Sequence, residues 1–137
     1  MEVPYNHSMK SRAGDWLRQA EVELSWTKDS IESEHWSAVC FSAQQIAEKS
    51  LKAIALHRGA SEIRSHSLVT IARELEIDGE LERLSRRLDA YYISTRYPDA
   101  FSEGSPFEYF DREQAEEAIR FAQAFLDRAR AEVSVDG

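Results

Sequence analysis

The stretch from His35 to His57 constrains the fold more than any other part of the chain. Trp36, Val39, Cys40, Ala43, Ile46, Ala47, Leu51 and Ile54 recur at steps of three and four, the spacing that places side chains on one stripe of an α-helix. Gly59 follows as a stop, because glycine takes the left-handed capping conformation without steric cost. Beside the stripe lies a second face: Phe41, Gln44, Gln45, Glu48, Lys49 and Lys52. The small residues Ala43, Ala47, Ser50 and Ala53 let neighbouring helices approach closely. A helix apolar over so much of its circumference belongs in the middle of a bundle.

Other helices are expected on both sides of it. A first helix is predicted from near Ser11 to Ser33, with Trp16, Leu17, Ala20, Leu24, Thr27 and Ile31 on one face. The short turn Ser33-Glu34-His35 then sets the first two helices antiparallel. After a polar loop, Ser65 or Ser67 caps a third helix carrying Leu68, Ile71, Ala72 and Leu75. Asp78-Gly79 breaks it, and a fourth helix follows with Leu81, Leu84, Leu88 and Tyr91 or Tyr92 inward.

The stretch STRYPDAFSEGSPFEYF is irregular, since Pro98 disfavours helix at Tyr97 and Gly104 and Pro106 keep it open. Its aromatics predict a loop lying across the bundle, a partner or a ligand. Asp111 and Gln114 form a capping box for a last helix with Ala115, Ala118, Ile119, Ala122, Phe125 or Leu126, and Ala129 inward. The fold class is all-α, roughly five helices with an up-down antiparallel core. One domain is expected over residues 11–131, with a loose arm at 1–10 and a polar tail at 132–137.

Composition excludes several function classes. A net charge of −8 over 137 residues argues against a broad basic surface that coats nucleic acid, while leaving room for a local basic cleft. The apolar runs are too short to span a bilayer and the start lacks an apolar signal core, so a cytoplasmic protein is expected. One cysteine, Cys40, on the apolar stripe leaves neither a disulfide nor a cysteine metal site. No histidine pair has metal-ligand spacing, so no metal and no cofactor are expected.

The ordered blocks DWLRQAEVEL, WSAVCFSAQQIAEKSLKAIAL, HSL, YYISTRYPDAF and FDREQAEEAIRFAQAFLDRAR resemble the HEPN domain family, over about Asp15 to Arg130. They look most like its small stand-alone prokaryotic members. The resemblance implies a helical homodimer, paired with a minimal nucleotidyltransferase in a toxin–antitoxin-like system, and binding of nucleotide or RNA. Many members are metal-independent endoribonucleases that use an arginine followed, after four to six residues, by a histidine. The matching arginine here is Arg96, but Phe101, Ser102 and Glu103 stand where the histidine would fall, so the motif is incomplete. A binding module is therefore the leading reading. The alternative is an active endoribonuclease using Arg96 with His66.

Each candidate residue has a plainer reading. Arg96 is either a clamp for phosphate or a partner carboxylate, or an intrachain partner of Asp99 or a loop carbonyl. Tyr92 and Tyr97 either stack a base or fill core and interface. His66 either handles protons or hydrogen-bonds locally at a helix start. Gln44, Gln45, Glu48, Lys49 and Lys52 form either a network at a dimer seam or ligand groove, or a solvated stripe.

Overall fold

The turn at Ser33-Glu34-His35 is tight because Glu34 takes a left-handed conformation (φ 66°), ending a 3-10 turn over Ser30–Ser33. A computed structural model describes the backbone of residues 2–133 and the side chains of residues 12–133. Its helices are α1 (Glu2–Asp29), α2 (Trp36–His57), α3 (Leu68–Glu74), α4 (Glu80–Asp89), the single turn α5 (Tyr91–Ser94) and α6 (Arg112–Val133). Further 3-10 turns cover Pro98–Ala100 and Pro106–Tyr109. There is no strand among the described residues. The all-α bundle of about five helices is thus the observed architecture.

Helix α2 is the centre. It packs along both α1 and α6, and the α3–α4 pair lies against it. Val39, Cys40, Ala43, Ile46, Ala47, Leu51 and Ile54 are buried, joined by Leu17, Ala20 and Leu24 of α1 and by Ala118, Ala122, Phe125 and Leu126 of α6. Burying a leucine or isoleucine such as Leu51 or Ile54 contributes about 1.5–3 kcal/mol. Two buried hydroxyls bond back to their own helices, Thr27 to the Glu23 carbonyl (2.6 Å) and Ser50 to the Ile46 carbonyl (2.9 Å), which removes the cost of an unpaired polar group.

The boundaries differ from expectation in three places. Helix α1 starts at Glu2, ahead of Ser11, so its backbone takes in the residues assigned to an arm. The fourth helix is divided at Ala90 into α4 and α5, although Ala90 keeps helical angles. Helix α6 ends at Val133, and the rest of the expected tail lies outside the described residues.

The expected caps form. Ser67 accepts from the Thr70 amide at the start of α3. Asp111 Oδ1 accepts from the Gln114 amide while Gln114 Oε1 accepts from the Asp111 amide, closing the capping box of α6.

Candidate functional site

The polar face of α2 is buried at its middle, at Gln44 and Glu48, and only partly covered at Gln45, Lys49 and Lys52. Phe41, Gln44, Glu48 and Lys52 recur at steps of three and four, so they share one side of the helix. Gln44 is fully buried and Glu48 is 5% exposed. Their partners come from α2 itself and from the loop ahead of α3. Gln44 Nε2 donates to the His66 carbonyl (3.2 Å), and Gln44 Oε1 accepts from Gln45 Nε2 (2.7 Å). Glu48 Oε2 lies 3.1 Å from His66 Nδ1 and 2.8 Å from Lys52 Nζ. Glu48 Oε1 is sealed from solvent and has no hydrogen-bond partner.

The loop that carries His66 is also pinned from α4. The Asp89 carboxylate accepts from the Leu68 amide (2.7 Å), the Val69 amide (3.0 Å) and the Ser67 hydroxyl (3.1 Å). These are orphan donors at the first turn of α3, and a carboxylate there also meets the positive end of the helix dipole. Nothing in the local sequence of α3 indicates this cap. The only signal is an acidic residue at the end of the amphipathic α4.

Arg96 lies in a three-ring setting. Its Cζ is 4.3 Å from the ring centre of Phe41, 4.7 Å from Tyr92 and 5.2 Å from Tyr97, close enough for cation–π attraction to all three. Nε and Nη2 donate to the Tyr92 carbonyl (3.0 and 2.8 Å). A carbonyl, rather than Asp99, is therefore its intrachain partner. Nη1 has no hydrogen-bond partner among the described residues, and the side chain is exposed.

Tyr92 joins the two halves. The His66 ring stacks on it, with centroids 5.4 Å apart and planes 16° from parallel. Tyr92 also meets Phe41 at 6.2 Å. Arg96, His66, Tyr92, Tyr97 and Phe41 thus form one cluster, with Glu48 and Lys52 behind the histidine. Arg96 supplies a fixed positive charge with free donors, and His66 supplies an imidazole, a group able to take up or give a proton.

Other expected site residues fall elsewhere. Lys49 pairs with Glu23 (3.0 Å) and lines a 370 Å³ groove with Arg12, Asp15, Trp16 and Gln19. Lys52 also sits over the Trp16 ring (5.3 Å) and borders a 240 Å³ groove formed with Trp16, Leu56, Ser61, Glu62 and Ile63. Asp99 is exposed in the 3-10 turn after Tyr97. Cys40 offers no nucleophile. Burial, followed by the charges of Asp111 and Glu117, pushes its thiol up to about 12, so it stays protonated at neutral pH.

The aromatic stretch is divided. Phe110 is buried with its ring edge-on to Tyr91 (5.6 Å), and Phe101 stacks on Tyr109 at 4.0 Å. Tyr97 and Phe107 remain 48% and 70% exposed. A second capping box, Ser105 with Glu108, holds the turn at Pro106, a signal that the spacing of those two residues carries and the sequence reading missed. Among the described residues no three side chains are grouped to hold a metal ion, and no helix is long and apolar enough to cross a membrane.

A family model and a solved structure name the same family. Residues 13–132 match the HEPN domain. A Methanocaldococcus jannaschii protein named "Putative toxin MJ1304" is 24% identical over 125 residues, covering 82% of each chain. The crystal structure of TT1696 from Thermus thermophilus superposes with a TM-score of 0.82 at 37% identity, over 88% of this chain and 97% of that one. The crystal structure of ST0689, described as an archaeal HEPN homologue, gives 0.73 at 29% identity over the same shares.

Proposed function

The chain belongs to the HEPN family, and on that premise we propose that it is a toxin-like helical module that binds the phosphate of RNA or a nucleotide at Arg96. The observation that carries this reading is the guanidinium held among Phe41, Tyr92 and Tyr97 with Nη1 free. The rings and the Tyr92 carbonyl fix its plane, and a pre-oriented fork loses little freedom when it meets a phosphate. The exposed rings of Tyr97 and Phe107 lie in the same segment and supply faces for stacking bases. An overall charge of −8 makes the contact local rather than a coating of the whole surface.

The module works as a homodimer beside a minimal nucleotidyltransferase in the cytoplasm. The toxin-named relative supports the toxin–antitoxin-like setting, the exposed apolar side chains Ile93, Tyr97, Phe107 and Tyr109 support association, and a lone buried cysteine fits a reducing compartment. Light scattering is expected to give a dimer mass across a wide concentration range. Mixing with the nucleotidyltransferase is expected to give one larger species on gel filtration.

The test of the binding site is Arg96→Ala, read by the anisotropy of a labelled single-stranded RNA. Losing a charge-assisted contact costs about 1.5–3 kcal/mol, a tenfold or greater loss of affinity. Arg96→Lys is expected to restore only part of it, because lysine lacks the planar fork. Unchanged affinity in Arg96→Ala would remove Arg96 from the binding site.

A second reading, endoribonuclease activity with Arg96 and His66, is favoured by one observation: both side chains rest against the ring of Tyr92. The histidine absent after Arg96 in sequence is then supplied from another segment. Cleavage of single-stranded RNA in the presence of a chelator, abolished in His66→Ala, is the expected result. No cleavage by the wild-type protein leaves the binding module as the function.

A further inference from the structure

Glu48 is a costly residue for a bundle to bury. One of its oxygens is sealed with no partner, a state that packing alone does not account for. The other is shared between Lys52 and an exposed histidine, whose side chain keeps 58% of its accessible surface. We infer that Glu48 is a positioning residue that fixes the orientation and tautomer of His66. The carboxylate oxygen Oε2 accepts from Lys52 Nζ, an ammonium that can only donate, and lies 3.1 Å from His66 Nδ1, which a carboxylate oxygen can only meet as an acceptor. Nδ1 therefore carries the proton in the neutral ring. Nε2 is left with its lone pair and with no hydrogen-bond partner among the described residues. Gln44 holds the His66 carbonyl and Tyr92 covers a ring face, so the imidazole is restrained at its backbone, at one nitrogen and across its plane.

The chemistry this arrangement serves rests on the endoribonuclease reading above. Nε2 takes the proton of a ribose 2′-hydroxyl, and the 2′-oxygen forms a bond to phosphorus. The bond from phosphorus to the 5′-oxygen breaks, and the imidazolium returns its proton to that oxygen. The products are a 2′,3′-cyclic phosphate and a 5′-hydroxyl, with no metal, water or redox partner consumed. Arg96 Nη1 meets the phosphate oxygens. Glu48 touches no reacting atom; it acts through His66.

The experiment reads the tautomer directly and the reaction separately. Long-range ¹⁵N–¹H spectra of the wild-type protein, recorded where the imidazole is neutral, are expected to show His66 protonated at Nδ1. Glu48→Gln is expected to lose that preference and Glu48→Asp to keep part of it. In a chelator-treated RNA cleavage assay Glu48→Gln is expected to lose tenfold or more in kcat with little change in KM, and Glu48→Asp to recover part of the loss. A wild-type His66 protonated mainly at Nε2 overturns the inference, and this needs no variant to fold. A folded Glu48→Gln with the tautomer unchanged overturns it too. An Nδ1-protonated wild-type protein that cleaves no RNA retires the endoribonuclease reading while sustaining the positioning role.

Discussion

The two segments that meet on Tyr92 are held in opposite ways. The loop carrying His66 is fixed by bonds from distant parts of the chain: Gln44 and Glu48 of α2, and Asp89 of α4. The hydrogen bonds of the segment carrying Arg96 are made to its own neighbours, while its rings pack on Phe41 of α2 and on the core. Arg96 bonds to the Tyr92 carbonyl, Ser94 to the Ala90 carbonyl (2.7 Å), the Ser105 amide to Glu108 (2.7 Å), and the Tyr109 hydroxyl to the Glu103 carbonyl. A segment tied to the bundle moves only when the bundle does. A segment whose hydrogen bonds are local depends on ring packing for its place on the bundle. The site thus pairs an imidazole held by long-range hydrogen bonds with a guanidinium held by a local carbonyl and three rings.

The largest expected effect lies on the rigid side. Asp89→Ala strips two amides and a hydroxyl at the start of α3 of their acceptor, and is expected to cost about 2 kcal/mol. A urea melt with unchanged slope and a lowered midpoint is the check. A midpoint equal to wild type would mean that the His66 loop is not held from α4.

Tyr92→Leu removes the shared ring while leaving His66 and Arg96 in place. Its cation–π term is worth about 0.5–1 kcal/mol, so the fold should stand. Broadened His66 ring signals beside an intact helical spectrum are the expected result; sharp, unshifted ones would separate the two segments. A smaller effect is expected at Glu108, which is exposed. Glu108→Ala should lower stability by about 0.5 kcal/mol, with the change confined to amides around Ser105 in a hydrogen-exchange map.

The smallest effect is a pH dependence at the start of the His66 loop. Arg58, which ends α2, reaches Glu132 of α6 (2.9 Å) and donates to the Leu75 carbonyl (2.6 Å). Burial acts to raise the Glu132 carboxyl, but hydrogen bonds from Arg58 and Arg128 outweigh it and hold it below the ordinary carboxylate range. A lowered folded value means the pair stabilises above that range and loses its contribution as pH falls through it. Because the Arg58 side chain is 38% exposed and its pair is screened by solvent, the contribution is about 0.5 kcal/mol or less. Wild type and Arg58→Met should therefore differ at neutral pH and converge in acid; a constant difference would contradict the linkage.

The same contrast explains what the sequence disclosed. The α2 stripe, the Ser67 cap, the Asp111–Gln114 box and the turn at Glu34 rest on residues within a few positions of one another, and such patterns are visible in a linear chain. Arg96 was singled out by the resemblance to the family's motif. The role of Glu48 was not, because a glutamate on a helix face looks alike whether it meets water or a histidine from another loop. Asp89 capping a helix other than its own, and His66 coming to the ring that Arg96 occupies, depend on how α3 and α4 fold back on α2. Those are tertiary facts with no local mark.

The central claim, that His66 and Arg96 form one site from two segments, is tested most directly by titrating a short single-stranded RNA into the labelled protein. The His66 imidazole and the Arg96 side-chain Nε–H are followed together in NMR spectra. Both signals moving along one binding curve, with a single Kd, is the result expected here. Arg96 responding while His66 stays still, or neither responding at saturating RNA, would contradict it.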